Sequence, residues 1–197
     1  MSEDIDKGRR RFLTVATSVV GGIGAAAAAA PFLMSWKPSA KAQALGAPVE
    51  VDVSRLDMGA QITVAWRGQP IWIVRRSQEM LNMLPSLNNQ LRDPDSAETE
   101  QQPAYAQNAT RSIKPEFLVL IGLCTHLGCV PTYRPDIGGV GADWPGGFYC
   151  PCHGSKYDLA GRVYKGVPAP TNLMVPPHTY VSDSIILVGE HHQGSMA

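Results

Sequence analysis

The chain has 197 residues, enough for one domain of ordinary size with additional segments. Seventeen basic and seventeen acidic side chains leave no net charge, so the composition argues against a general affinity for nucleic acid. All four cysteines lie between residues 124 and 152. Cysteines concentrated in so short a stretch indicate a metal site, a disulfide or both.

The chain begins with a basic segment that is followed by an apolar one. Residues 9–11 are arginine, and residues 12–36 form a run of 25 without charge. At about 1.5 Å per residue, this run can cross a hydrocarbon core of roughly 30 Å. The string RRRFLT resembles a twin-arginine export signal, whose pathway carries folded proteins. We therefore predict a cytoplasmic tail with this signal over residues 1–11 and a transmembrane anchor over residues 12–36.

Cleavage of the signal is an alternative that the sequence leaves open. Small residues at Ala40, Ala42 and Ala44 could form a signal-peptidase site. In both cases the body of the protein lies in an oxidising compartment, where a disulfide can persist.

The rest of the chain reads as a tether followed by β-structure. Residues 37–48 are rich in Ala, Lys, Gln, Gly and Pro, which predicts a flexible tether. Alternation of apolar and polar side chains, or a short apolar run, then predicts several strands. These strands lie near residues 49–53, 62–66, 71–74, 117–121 and 185–188. The pattern predicts an antiparallel β domain over residues 49–190.

Three further segments have weaker patterns. Residues 77–91 have apolar side chains near helical spacing, and Ser77 could cap such a helix. Residues 93–114 are polar and contain proline, so we expect a long excursion on the surface. Residues 191–197 are predicted to form a disordered tail.

The cysteines lie in two short boxes, CTHLGC at residues 124–129 and CPCHGS at residues 150–155. Each box offers one cysteine and one histidine at loop spacing and has one cysteine to spare. Two thiolates and two imidazoles can hold a two-iron cluster with one iron on sulfur and the other on nitrogen. Gly128 and Gly154 allow the tight turns that such loops require.

Other sites are possible for the same residues. A tetrahedral zinc could take two cysteines and two histidines, although Cys-x-His is poor spacing for structural zinc. Two plain disulfides would leave both histidines unexplained. A thioredoxin-like pair needs Cys-x-x-Cys, whereas one residue separates Cys150 from Cys152.

The two boxes resemble, residue for residue, those of the Rieske proteins of quinol–cytochrome c oxidoreductases. The resemblance extends from the twin-arginine anchor to Val167-Pro168-Ala169-Pro170. It implies a mainly β fold, a Rieske-type antiparallel β-sandwich with a small cluster-binding subdomain at about residues 122–170. It also implies one N-terminal transmembrane helix and one [2Fe–2S] cluster.

The resemblance also assigns roles by position. The implied ligands are Cys124 and Cys150 for the inner iron, with His126 and His153 for the outer one. The implied disulfide joins Cys129 to Cys152, and Ser155 and Tyr157 are the implied hydroxyl donors to the cluster sulfurs. The run at residues 166–170 matches a third loop over the cluster, but it carries one valine more than the commoner Gly-Pro-Ala-Pro. Leu127 is expected to be exposed at the tip, where it suits docking.

The function implied is electron transfer within a dimeric ubiquinol–cytochrome c oxidoreductase, a translocase in which this chain is one subunit. His153, with His126 beside it, would meet ubiquinol and take its proton with the first electron. The expected partners are cytochrome b, a c-type cytochrome, ubiquinol and the membrane. The expected location is the bacterial inner membrane, with a cytoplasmic N-terminus and a periplasmic domain.

Three alternatives remain at this stage. One is the Rieske subunit of another periplasmic oxidoreductase, such as an enzyme resembling arsenite oxidase. Another is a plastoquinol-oxidising homologue, and the third is an exported, zinc-stabilised binding module. The spare cysteine pair favours the quinol-oxidising branch, because Rieske ferredoxins and their oxygenases lack it.

Overall fold

A computed structural model describes residues 6–191, which divide into two compact units between residues 44 and 45. The helices are α1 (Lys7–Ser35), α2 (Ala40–Gly46) and α3 (Gln78–Met83). The strands are β1 (Val49–Asp52), β2 (Gln61–Trp66), β3 (Gln69–Arg75), β4 (Phe117–Ile121), β5 (Thr132–Arg134), β6 (Gly147–Tyr149), β7 (Lys156–Tyr157), β8 (His178–Ser182) and β9 (Ile185–Val188). The tail predicted to be disordered lies outside the described residues except for His191.

Helix α1 contains the arginines of the export signal as well as the apolar run. The Asp6 carboxylate caps it by accepting hydrogen bonds from the backbone amides of Gly8 and Arg9, at 3.0 and 3.1 Å. None of its side chains is buried, although many are apolar. Within residues 6–191, one helical segment, Lys7–Gly46, is long and apolar enough to cross a membrane. Such a helix needs an apolar surrounding to cover its side chains.

The predicted tether, residues 37–48, contains a second helix. Helix α2 takes up seven of these residues, and the Ser39 hydroxyl accepts a hydrogen bond from the backbone amide of Ala42 at 3.2 Å. The segment is therefore locally ordered in this structure, and its flexibility remains a prediction.

The β domain consists of three antiparallel sheets with three strands each. Their strand orders are β1-β9-β8, β2-β3-β4 and β5-β6-β7. The first two sheets share one apolar core, which confirms the predicted sandwich. The third sheet belongs to the smaller, cysteine-bearing subdomain.

Strands β3 and β4 of the second sheet are buried on both faces, which explains why each contains a continuous run of apolar residues. Ile71 and Ile73 of β3 contribute to the core shared with the first sheet. Trp72 and Val74 face the opposite core, where the Trp72 ring stacks on Phe148 of β6 at 5.1 Å. Alternate side chains of one strand thus join the sandwich to the cysteine-bearing subdomain.

The helix predicted over residues 77–91 is present in a shortened form. Ser77 caps α3 as predicted, since its hydroxyl accepts a hydrogen bond from the Met80 amide at 3.4 Å. The chain then continues as a 3₁₀ helix over Leu84–Gln90. Pro85 lies at the start of this helix and has no amide proton to extend an α-helical ladder.

The prediction that residues 93–114 form a surface excursion is only partly correct, because the segment has exposed stretches but buries several of its side chains. Ala106 and Arg111 are fully buried. The Arg111 guanidinium donates hydrogen bonds to the Leu173 carbonyl at 2.7 Å and to the Gln102 side-chain oxygen at 2.9 Å. The contact with Leu173 fastens the segment to the chain that follows the cysteine-bearing subdomain.

Two more buried arginines also join segments of the domain that are distant in sequence. Arg162 forms an ion pair with Asp158 at 2.7 Å and donates to the Leu84 carbonyl at 2.9 Å. Arg76 donates to the carbonyls of Thr110 and Leu159, at 2.9 and 3.0 Å. Burial lowers the pKa of Arg76 to about 9, with Asp158 acting in the opposite direction, so the guanidinium is protonated at neutral pH. A buried charge that loses such partners is costly, which makes these contacts important for the fold.

Candidate metal centre

The first cysteine loop (residues 124–129) and the second cysteine loop (residues 150–155) close with the same pair of backbone hydrogen bonds. In the first, the Cys124 amide donates to the Cys129 carbonyl at 2.7 Å, and the Gly128 amide donates to the Cys124 carbonyl at 2.9 Å. In the second, the Cys150 amide donates to Ser155 at 2.8 Å, and the Gly154 amide to Cys150 at 2.9 Å. One turn geometry is thus used twice.

Glycine is needed at the fifth position of each loop. Gly128 has φ of 78° and Gly154 has φ of 76°. These values lie in the left-handed region that other residues rarely adopt. The glycines therefore allow each loop to bring its first and last residues together.

The two loops bring Cys124 and Cys150 together as free, buried thiols. Both belong to the same buried core cluster. Two buried thiols that come from separate loops to one cluster match the sulfur half of the predicted ligand set.

The histidines form the other half. The rings of His126 and His153 lie with their centroids 4.8 Å apart and nearly perpendicular. His153 is exposed and His126 is half-buried. The Nδ1 atom of His126 is buried and has no hydrogen-bond partner among residues 6–191. A buried ring nitrogen without a partner is costly, so a metal ligated there would satisfy it.

The disulfide between Cys129 and Cys152 is present and confirms the implied pairing. It joins the two cysteine loops, and its Cα atoms are 6.7 Å apart. The Cys150 sulfur lies within 4.8 Å of both disulfide sulfurs. Since the disulfide sulfurs are already bonded to each other, they are unavailable as thiolate ligands.

Hydrogen bonds distinguish the two free thiols. Burial raises the pKa of the Cys124 thiol, but hydrogen bonds from Tyr157, from the His126 amide and from Ser155 outweigh it, so the net pKa is lowered. Burial raises the pKa of Cys150, and the opposing backbone amides are too weak to reverse this. A hydrogen bond of 3.2 Å joins the Tyr157 hydroxyl to the Cys124 sulfur. One of the two hydroxyls that were predicted as donors, that of Tyr157, is thus in contact with that sulfur, and the other, that of Ser155, lowers the pKa of the same thiol.

Thr125 is a contact residue that the sequence reasoning missed. Its hydroxyl donates to the Thr171 carbonyl at 2.8 Å, and its backbone amide donates to the Tyr157 hydroxyl at 3.2 Å. It therefore ties the first cysteine loop to the chain after the third loop (residues 166–170). The second tie is the Ala169 amide, which donates to the Ser155 hydroxyl at 3.1 Å. The place of Thr125 between a cysteine and a histidine was the only signal for it.

The tip of the site is apolar and accessible. Leu127 is 72% exposed, which agrees with its predicted position at the tip. Val130 is also exposed, as is Pro151 in the second cysteine loop. The site thus presents a solvent-facing imidazole, His153, among apolar side chains.

The donor set fits a [2Fe–2S] cluster better than zinc. The two thiols are buried and the two imidazoles lie toward solvent, so sulfur and nitrogen ligands are separated along the direction of burial. Such a separation suits two metal ions with different ligands. A single tetrahedral ion has no need of it.

Comparison with known families gives two matches. Residues 1–39 match the TAT signal of the ubiquitinol-cytochrome C reductase Fe-S subunit, and residues 48–177 match the Rieske [2Fe-2S] domain. The second match covers more than half of the chain.

Several relatives that match over more than nine tenths of the chain carry the name "ubiquinol-cytochrome c reductase iron-sulfur subunit", and the following three are examples. The protein from Allochromatium vinosum is 59% identical over 191 residues, which are 96% of this chain and 92% of the relative. The protein from Bradyrhizobium diazoefficiens is 43% identical, with coverages of 92% and 94%. The protein from Rhodospirillum rubrum is 41% identical, with 93% of each chain covered.

Proposed function

The chain belongs to the Rieske [2Fe–2S] family, as an iron–sulfur subunit of the bacterial ubiquinol–cytochrome c reductase type, and from this premise we propose its path of electron transfer. The subunit accepts one electron, together with a proton, from ubiquinol and passes the electron to a c-type cytochrome. Its cofactor is one [2Fe–2S] cluster. The observation that carries the proposal is that the rings of His126 and His153 lie together at an accessible tip, with their centroids 4.8 Å apart.

The ligands in this proposal are Cys124 and Cys150 on the inner iron, and His126 and His153 on the outer one. Burial of both free thiols in one core cluster supports the first pair. The unpartnered Nδ1 of His126 supports the second pair. When bound, the cluster supplies a one-electron acceptor whose potential is raised because two neutral imidazoles replace two thiolates.

The hydrogen bonds around the thiols favour reduction. The Tyr157 hydroxyl lies 3.2 Å from the Cys124 sulfur, and hydrogen bonding by the Ser155 hydroxyl and the His126 amide also lowers the pKa of the Cys124 thiol. Each donor stabilises the additional negative charge that arrives with an electron, and thereby raises the reduction potential. Burial raises the pKa of Tyr157, so this phenol keeps its proton and remains a donor. Ubiquinol is a weak reductant and requires an acceptor of high potential.

The exposure of the histidines determines which of them can accept the proton of the quinol. His153 is exposed at the tip and can accept a hydrogen bond, then a proton, from a quinol hydroxyl. His126 is half-buried beside it. The apolar surface of Leu127 excludes water when it docks against a partner.

The proposed partners are cytochrome b, which forms the quinol-oxidation site with this subunit, and a c-type cytochrome. The second electron of ubiquinol goes to haem b, and the complex is a dimeric translocase. The chain carries an export signal and an apolar helix that suits a membrane anchor. We place that helix in the bacterial inner membrane as a single span, with residues 1–11 in the cytoplasm and residues 49–190 in the periplasm.

Delivery to the c-type cytochrome requires the domain to move on residues 37–48. Replacing Lys41 and Gln43 with proline should slow turnover while the cluster spectrum stays unchanged, because proline stiffens the backbone. Alanine at the same two positions is the matched control and should leave turnover unchanged. Normal turnover of the proline variant would contradict the moving domain.

The first experiment is an EPR spectrum of the isolated protein after reduction with ascorbate, together with analysis of iron and acid-labile sulfide. A rhombic signal with an average g value below that of all-cysteine clusters supports the proposal. Bound zinc without iron would refute it. Co-purification with cytochrome b then separates a quinol oxidase from a periplasmic oxidoreductase that does not use quinol.

A further inference from the structure

We propose that the protein without its cluster rearranges its own disulfide. In this reaction Cys150 displaces Cys152 from Cys129, so that the Cys129–Cys152 bond becomes a Cys129–Cys150 bond. The sulfurs of these three cysteines all lie within 4.8 Å of one another. Cys129 and Cys152 are bonded, and Cys150 is a free thiol.

The exchange needs no external oxidant or reductant. The thiolate of Cys150 attacks the sulfur of Cys129, a new S–S bond forms, and the old one breaks with its electron pair remaining on Cys152. The proton lost by Cys150 is balanced by the proton that Cys152 takes up. One disulfide and two thiols, including Cys124, are present before and after the reaction.

Two features determine which sulfur of the disulfide Cys150 attacks. Attack on Cys152 would close a ring containing only Pro151 between the bonded residues, which is strained geometry for a disulfide. Attack on Cys129 instead keeps the two cysteine loops linked. It also releases Cys152, which is exposed, and places the buried Cys150 in the bond.

The exchange gives the cluster a protective role and sets an order of assembly. A Cys150 sulfur bound to iron cannot attack the disulfide, so the loaded protein keeps the Cys129–Cys152 pair. After exchange, Cys150 is no longer available as a ligand, and the chain cannot take up a cluster. On the ligand set proposed above, cluster insertion must therefore precede oxidation of the other two cysteines.

The test compares two full-length variants that both lack one proposed ligand, Cys124→Ser and Cys150→Ser. Each is purified folded, as judged by circular dichroism, and kept under anaerobic conditions without added thiol. Free thiols are alkylated with iodoacetamide, and the modified and disulfide-linked peptides are identified by mass spectrometry with fragmentation.

We expect most molecules of the Cys124→Ser variant to carry the label on Cys152 and a Cys129–Cys150 disulfide. The Cys150→Ser variant should carry the label on Cys124 and retain Cys129–Cys152. Label on Cys150 in the first variant, or label on its Cys129, would overturn the proposal. If that variant does not fold, the wild-type protein is stripped of iron by a chelator and its disulfide is mapped in the same way. A Cys129–Cys150 bond then supports the proposal, and a retained Cys129–Cys152 bond overturns it.

Discussion

The two cysteine loops share a backbone and differ in where they carry histidine. Both close with the same two hydrogen bonds, yet histidine is the third residue of the first cysteine loop and the fourth of the second. The position of His153 is taken by Leu127 in the first cysteine loop. As a result His126 is half-buried and His153 is exposed. A common turn thus begins each loop with a free, buried thiol, while the position of histidine within the loop decides which imidazole is exposed.

The largest expected effect comes from removing an imidazole from either loop. His126→Ala and His153→Ala should each abolish the cluster, because each removes one of the two imidazoles proposed to bind the outer iron. Iron and acid-labile sulfide should fall at least tenfold. The matched control is Leu127→Ala, which occupies the loop position of His153 and should keep a full complement of iron. Cluster loss in the control would show that any change at these loop positions is disruptive.

Loss of the disulfide should have the next largest effect, because the disulfide joins the two loops to each other. Its cysteines are 23 residues apart in sequence. The loop-entropy estimate for such a link is about 3 kcal/mol, so the Cys129→Ser/Cys152→Ser double variant should lose about that free energy of unfolding. Denaturant titration measures the loss, and wild-type protein treated with a thiol reductant should show the same stability as the variant. A loss below about 0.5 kcal/mol would mean that the loops are held together without the bond.

Alanine at Gly128 or at Gly154 tests whether the two turns are equivalent in energy as well as in geometry. Both glycines have positive φ, and a left-handed conformation costs other residues roughly 1–2 kcal/mol. Each variant should lose that free energy of unfolding, by similar amounts. Gly46→Ala is the control, because its Cβ would meet no atom within 4 Å and its φ is not positive. Unequal losses of unfolding free energy would show that the two turns share a geometry but differ in energy.

The smallest expected effect concerns the Tyr157 hydroxyl. Within the described residues it forms a hydrogen bond with the sulfur of Cys124 and none with the sulfur of Cys150. Tyr157→Phe removes the hydrogen bond to the Cys124 sulfur, which is worth about 1 kcal/mol. That energy corresponds to a midpoint potential lower by about 40 mV for one electron. Tyr164→Phe is the control, since the buried Tyr164 hydroxyl has no partner within the described part of the chain. Redox titration followed by EPR should show a shift in the first variant alone.

Much of the site was predictable because its proposed ligands lie in two short segments of the sequence. The spacing in CTHLGC and CPCHGS identifies the chemistry, and the resemblance they carry implied the disulfide pairing that the structure contains. The exposure of Leu127 was also predicted correctly. The contacts of Thr125 and of the third loop were not predicted, because they join residues 46 and 14 positions apart through single hydrogen bonds. Such contacts leave no periodic trace in the chain.

The sequence by itself determined five of the six strands of the sandwich, all except β8, together with the apolar N-terminal helix and the two cysteine loops, because periodicity and local spacing encode these features. Only the tertiary structure decided that β3 and β4 serve two cores at once, and that residues 93–114 run partly inside the protein. The buried arginines show the reason. Arg76 and Arg111 bond to carbonyl groups as far as 83 and 62 residues away. A charged side chain surrounded by polar neighbours in sequence reads as exposed, until the fold brings carbonyl oxygens to meet it.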